Sequence, residues 1–102
     1  MNQAQLMAQV KKMQTEMARA QDELASTVVT GSAAGGSVTV EMTCDQRVKG
    51  VKIAKEAVDP DDIETLEDLV VVAINDAMTK VGEVSQKRMG SVTGGMNIPG
   101  LM

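Results

Sequence analysis

The most informative hydrophobic pattern in the chain lies between Asp59 and Gly90. Apolar residues recur there at intervals of three and four, the spacing of an α-helix, and Leu69 to Ile74 form six consecutive apolar residues. At about 100° per residue, such a run surrounds a helix completely, so this part must be buried on every side. The pattern predicts one long helix with a buried middle.

Both ends of this predicted helix carry residues typical of helix termini. Asp59 is expected as the N-cap and Pro60 as the first helical residue, followed by acidic side chains that complement the positive end of the helix dipole. Lys87 and Arg88 fall in the last turn, where cations are favoured. Gly90 is expected to end the helix, because glycine readily takes the left-handed conformation.

A second helical pattern covers Asn2 to Ala25, where apolar residues alternate at spacings of four and three. This helix packs against the chain's own sheet or shares its apolar side with another helix, and the spacing alone fits both arrangements. The apolar residues, which we call the heptad strip, are Leu6, Val10, Met13, Met17, Ala20 and Leu24.

Three β-strands are predicted between the helices, at Ser26–Ala33, Ser37–Cys44 and Arg47–Ala54. The second alternates strictly between apolar and polar residues, as expected of a half-buried antiparallel strand whose Cys44 acts as a small buried hydrophobe. Asp45 and Gln46 form the next turn, although glutamine tolerates a positive φ poorly.

The third strand is basic, since it carries or adjoins Lys49, Lys52 and Lys55. Lysines are common on edge strands, where they discourage unwanted pairing, and they are also compatible with a ligand-facing patch.

The element order predicts an α+β fold: a helix, a three-stranded antiparallel sheet and a long helix, arranged as a two-layer sandwich. Residues 1–90 form one domain, and the Gly- and Met-rich residues 91–102 form a flexible tail or dock Ile98 and Leu101 on the body.

The two predicted helices are about 36 and 45 Å long, whereas a compact chain of about 100 residues has a radius of gyration of only about 13 Å. The helices must therefore protrude from the body. The all-round apolar middle of the long helix indicates a homodimer. The expected interface residues are Leu69, Val70, Ala73, Ile74, Ala77 and Met78.

The composition limits the possible chemistry. The chain has no histidine, a single cysteine and no aromatic residue, so we expect no enzyme, no metal site, no cofactor and no small-molecule substrate. There is no apolar run of membrane-spanning length and no signal-peptide pattern, which predicts a cytoplasmic protein without a membrane partner.

Three segments make the chain resemble a known family: AAGGSVTVEMT, LEDLVVVAINDAMTKV and QKRMGSVTGGMNIPGLM. The chain resembles the YbaB/EbfC family of bacterial nucleoid-associated DNA-binding proteins along nearly its whole length. The resemblance implies a homodimer shaped like tweezers that contacts duplex DNA with low sequence specificity in the nucleoid.

The charge pattern is compatible with that role although the net charge is −4. Acidic residues concentrate at the start of the long helix, about 27 Å from Lys80, whereas charges are screened over about 8 Å at physiological salt. Any of the cations could instead pair with a neighbouring carboxylate. The predicted phosphate contacts are Lys11, Lys12, Arg19, Lys80, Lys87 and Arg88.

An alternative class is a clamp-like protein-interaction module without DNA binding, in which adaptable methionines grip client helices. The missing aromatic residues count against recognition of single strands by base stacking.

Overall fold

Two long helices flank three consecutive strands in the computed structural model, which describes residues 2–93 and the side chains of residues 2–90. Helix α1 spans Gln3–Ser26 and helix α2 spans Ile63–Thr93. Strands β1, β2 and β3 span Val28–Ala33, Val38–Thr43 and Val48–Ile53. The predicted α+β order is confirmed, with the first strand two residues shorter because α1 continues through Ser26.

The sheet has the order β1-β2-β3 with both neighbouring pairs antiparallel, so β3 is an edge strand. In the central strand, Val38, Val40 and Met42 are buried while Thr39, Glu41 and Thr43 are half-buried, which confirms the predicted alternation. Cys44 is also buried, and burial raises the pKa of its thiol, with the charge of Asp45 as a second cause. This cysteine therefore has the environment of a small core hydrophobe.

The β2–β3 connection departs from a regular hairpin, as its sequence suggested. Gln46 adopts a positive φ of 68°. Glu41 pairs with Gly50 but Met42 pairs with Val48, so Lys49 is an extra residue on β3. Such a bulge bends and twists the strand locally.

The contact of α2 with β1 is unusually close. A Cβ atom added to Gly31 of β1 would lie 2.3 Å from the Ala73 carbonyl oxygen, 2.3 Å from the Ala77 amide nitrogen and 2.7 Å from the Ala77 Cβ. Ala73 and Ala77 are fully buried, so three small residues in a row let the helix backbone approach the strand. Through this contact α2 covers β1 and β2, while the side chains of β3 stay largely exposed.

The ends of α2 differ from the predicted ones. The helix begins at Ile63, not at Pro60, and Asp62 rather than Asp59 accepts hydrogen bonds from the Thr65 backbone N–H at 3.3 Å and from its hydroxyl at 2.6 Å. Asp59 instead forms a preceding turn, accepting from the Asp61 N–H at 3.0 Å. The helix passes through Gly90, so this glycine does not end it, and of the predicted tail, residues 94–102 lie outside the described part.

Helix α1 packs on the body through its second half alone. Ala20 and Leu24 are buried, whereas Leu6 and Val10 are 52% and 44% exposed. The radius of gyration is 19.6 Å, well above the roughly 13 Å of a compact chain of this length, which confirms that the helices protrude. Within residues 2–93, neither helix is long and apolar enough to cross a membrane.

The close packing at Gly31 predicts a specific sensitivity. Gly31→Ala should lower the free energy of unfolding by about 1–3 kcal/mol, because the new methyl group meets backbone atoms of α2 that cannot turn aside. Urea unfolding measures this. Gly50→Ala in β3 is the matched control, since nothing lies within 4 Å of its added Cβ. Equal stability of the two variants would show that α2 does not approach β1 as closely as described.

Candidate nucleic-acid interface

The protruding part of α1 carries three of the predicted cations. Lys11, Lys12 and Arg19 are all exposed. At about 100° per residue Lys11 lies on the side of α1 opposite the buried Ala20 and Leu24, whereas Lys12 and Arg19 lie together on one flank, about 80–140° from them. Among the described residues none of the three forms an ion pair, so their charges face solvent.

Lys87 and Arg88, near the end of α2, differ from each other. Lys87 is exposed and no ion pair involves it within the described residues. Arg88 is half-buried, and its Nε donates to Oε2 of Glu23 on α1 at 2.7 Å. This hydrogen bond lowers the pKa of Glu23 and raises that of Arg88, so both groups stay charged. Arg88 thus ties the two helices together at the base of the arm, our name for residues 3–23 of α1 together with residues 87–93 of α2.

The Lys80 side chain contacts the outer edge of β1. Its Nζ donates to the Thr30 carbonyl oxygen at 2.8 Å and lies 3.2 Å from Oδ2 of Asp76. The same Oδ2 accepts from the Ser32 backbone N–H at 2.9 Å. This hydrogen bond, followed by the interaction with Lys80, lowers the pKa of Asp76. Asp76 and Lys80 therefore satisfy one donor and one acceptor of an edge strand that would otherwise be open to pairing.

The basic residues around β3 are exposed, in keeping with its position as an edge strand. Lys52 lies 3.7 Å from Glu41 on the neighbouring strand, and Arg47 lies 3.6 Å from Asp45 in the turn. Exposed pairs of this kind contribute little to stability. The lysines on and next to β3 are thus a second group of exposed cations, on a different element from those of the helices.

The residues expected at a dimer interface divide into two groups. Ala73 and Ala77 are fully buried within the chain, against Gly31, and have no surface left for a partner. Met78 is 39% exposed, and the remaining three are partly buried against the chain's own core: Leu69, Val70 and Ile74.

Other apolar side chains are exposed, and within the single chain the predicted burial of Leu69 to Ile74 on every side is not found. Val71 is 55% exposed, and on β3 Val48, Val51 and Ile53 are 52%, 46% and 43% exposed. Their apolar character was visible in the sequence. The sequence did not indicate which strands α2 covers, and therefore which apolar side chains remain exposed.

An α+β fold with cation-bearing helical arms defines a small binding protein. A model of the YbaB/EbfC DNA-binding family matches residues 1–96. The chain belongs to the YbaB/EbfC DNA-binding family. This is a family of DNA-binding proteins and not of enzymes, in agreement with the expectation from the missing histidine.

Similar proteins support this assignment. A nucleoid-associated protein of Roseiflexus sp. (strain RS-1) is 50% identical over 100 residues, covering 98% of this chain and 99% of that protein. One from Chloroflexus aurantiacus is 48% identical over 96 residues, covering 94% and 96%. The crystal structure of the uncharacterized protein HP0035 from Helicobacter pylori has the same fold, with a TM-score of 0.79 at 21% identity, covering 92% of this chain and 99% of that one.

The edge contact of Asp76 predicts a pH dependence. Its carboxylate has a folded-state pKa below the ordinary value of 3.8, so it stabilises the fold above that value and the contribution is lost as pH falls through the folded pKa. Asp76→Asn should therefore be less stable than wild type at neutral pH, and the two should converge in acid. Urea midpoints across pH measure this, with Asp61→Asn as the charge-matched control. A difference that persists unchanged in acid would contradict the assignment.

Proposed function

We propose that this protein binds duplex DNA as a homodimer, through phosphate contacts of low sequence specificity, and so acts in the bacterial nucleoid and affects its organisation and gene expression. Family membership supports DNA as the partner. The observation that supports the mode of binding is the exposed cations of the protruding arm: Lys11, Lys12, Arg19 and Lys87.

The acidic residues do not cancel these charges. Seven of the fourteen acidic residues lie from Glu56 to Asp68, just before and at the start of α2. Asp62 precedes Lys87 by 25 residues, about 37 Å of helix against a screening length of about 8 Å. Near the arm cations Glu23 is neutralised by Arg88, which leaves Glu16 and Asp22 on α1 and Glu83, one turn before Lys87 on α2. The arm is therefore modestly positive, as expected for weak, salt-sensitive binding.

Lys80 and Arg88 take a supporting role in this proposal. Both were predicted as phosphate contacts, and both have partners within the chain. Arg88 holds α1 against α2 and Lys80 holds α2 against β1, so they position the arm whether or not they also approach DNA.

The homodimer is supported by an uncovered apolar surface. Val51 and Ile53 pair with the buried Val40 and Val38, so they lie on the sheet face that α2 covers elsewhere, and yet they are exposed. A three-stranded sheet needs that face buried along its whole width.

The neighbouring side of α2 continues this surface. Asp76 and Lys80 mark the side toward β1, and at about 100° per residue Ile74 and Met78 lie on the opposite side, toward β3. We define the β3 flank as the exposed or half-exposed apolar residues on this side: Val48, Val51, Ile53, Val71, Ile74 and Met78. A second copy that buries the β3 flank would complete the two-layer sandwich and leave the arms projecting from it.

This arrangement keeps Ile74 and Met78 of the interface expected from the sequence and adds residues of β3. The alternative, a clamp that binds client proteins, is favoured by the exposed apolar residues Leu6, Met7 and Val10 on the arm. Absence of DNA binding by the wild-type protein at low salt would favour that alternative.

The proposed interface predicts a difference between two adjacent valines. Val71 and Val72 are similarly exposed, at 55% and 52%, but Val72 lies toward β1. Val71→Asp should convert the dimer to a monomer because it places a charge in an apolar interface. Val72→Asp, the matched control, should remain dimeric. Light scattering after size exclusion measures both masses. A wild-type monomer at micromolar concentration, or a dimeric Val71→Asp variant, would refute the interface.

DNA binding is tested by electrophoretic retardation at stepped salt. If about six of the eight arm cations of a dimer contact phosphates, the logarithm of the affinity should fall with the logarithm of salt concentration at a slope near −5. A variant with Lys11, Lys12 and Arg19 replaced by alanine should bind at least about tenfold more weakly, with a slope shallower by about three or more.

The matched control replaces Lys49 and Lys52 of β3 and Lys55, two residues after it, by alanine, which is the same change in charge. It should bind nearly as wild type does. Equal losses of affinity in the two variants would show that the lysines of the sheet contact DNA as much as those of the arm do. Absence of duplex binding by the wild-type protein at about 50 mM salt would contradict the DNA proposal itself.

A further inference from the structure

The heptad strip of α1 changes from buried to exposed along one face of a single helix. Its members lie within a narrow angular range because they repeat every three and four residues. Leu24 and Ala20 are 8% and 0% exposed, Met17 and Met13 are half-buried, and Val10 and Leu6 are 44% and 52% exposed. The apolar face thus continues well beyond the part of the body that covers it.

Three contacts show where that cover ends. Along α2, Asp76 contacts Ser32, Lys80 contacts Thr30 and Arg88 contacts Glu23. As the residue number rises along α2, the residue number of the contacted side chain or backbone group falls. Helix α2 therefore runs antiparallel first to β1 and then to α1. Because both helices rise about 1.5 Å per residue, Thr93 lies beside about residue 18 of α1. The first half of α1 therefore extends about 20 Å beyond the described end of α2.

We propose that the end of the same chain, residues 96–101, packs along this exposed half of the heptad strip. At Thr93, where its described part ends, α2 runs toward the N-terminal half of α1. Nine residues, 94–102, follow Thr93, and nine residues reach at most about 30 Å, enough to pass Val10 and Leu6.

The chemistry of the segment matches the strip. Residues 94–102 include Met96, Ile98 and Leu101 and contain no charged side chain. Burying Ile98 and Leu101 against Val10 and Leu6 removes apolar surface from water on both sides. Pro99 lacks the backbone N–H that a continuing helix would use, so the proposal is for an extended strap and not for further turns of α2.

We favour packing of this segment on the α1 of its own chain over packing of a second copy on the exposed half of the heptad strip. A short tether gives an effective concentration in the millimolar range, far above that of a separate chain at micromolar concentration. The strap has no charged side chain, so its side chains give Lys11 and Lys12 no new ion-pair partner. The strap thus stiffens the arm and keeps its cations available, and its tests below require no DNA.

Hydrogen exchange of the whole protein tests the docking. Replacing both Ile98 and Leu101 by aspartate should speed amide exchange of residues 3–12 by about tenfold, because that part of α1 loses its packing partner. Exchange of residues 18–26 should not change. Asn97→Asp adds a charge to the same segment at a polar position and should behave as wild type. Equal exchange of residues 3–12 in all three proteins would overturn the proposal.

Disulfide trapping identifies the source of the cover. In a Cys44→Ala background, Val10→Cys combined with Ile98→Cys should form a bond within one chain under mild oxidation. Ala8→Cys combined with Ile98→Cys, with the first cysteine on the opposite side of α1, should not. Bonds that form between chains would assign the cover to a second copy, and trapping no faster than in the Ala8 control would show that the segment does not dock. Either result overturns the proposal.

Discussion

The close approach of α2 to β1 determines how the rest of the molecule is arranged. Gly31 faces Ala73 and Ala77 with no room for an added Cβ atom, so the helix is fixed above β1 and β2. One helix is too narrow to cover three strands, and β3 keeps its apolar side chains exposed. At the other edge of the sheet, Asp76 and Lys80 bind the backbone of β1. One edge is thus closed within the chain, and the proposed partner surface lies at the other.

The cations of the protein fall into two groups according to their contacts. Arg88 and Lys80 hold elements together, through Glu23 and through the backbone of β1. Lys11, Lys12, Arg19 and Lys87 are exposed on the arm. A net charge of −4 therefore describes the arm poorly, because half of the acidic residues lie between Glu56 and Asp68, around the far end of α2. Phosphate binding depends on the local surface, and this surface is separated from the acidic segment by several screening lengths.

Local sequence patterns predicted the parts of the fold that local chemistry determines. The alternation of β2, the two helices and their protrusion are confirmed. The sequence allowed any of the cations to pair with a neighbouring carboxylate, and Lys80 does so with Asp76. The start of α2 was placed three residues early because Asp59 and Asp62 have the same capping chemistry, and only the course of the chain selects between them.

Other features required the tertiary structure. A helix that is apolar all round does not show which side faces its own sheet, so Ala73 and Ala77 were assigned to a partner surface although they lie in the core. The contact between Glu23 and Arg88 joins residues 65 positions apart, and no local pattern indicates it. For the same reason the exposed cations could not be separated from the structural ones by sequence alone.

The central claim is that duplex DNA meets the helical arm and not the sheet. The most direct measurement is a nuclear magnetic resonance titration of the whole protein with a short duplex, following backbone amides. We expect the largest shifts at residues 11–19 and around Lys87, with little change from Val48 to Ile53. Shifts concentrated on β3, or none in the arm at low salt, would contradict this account.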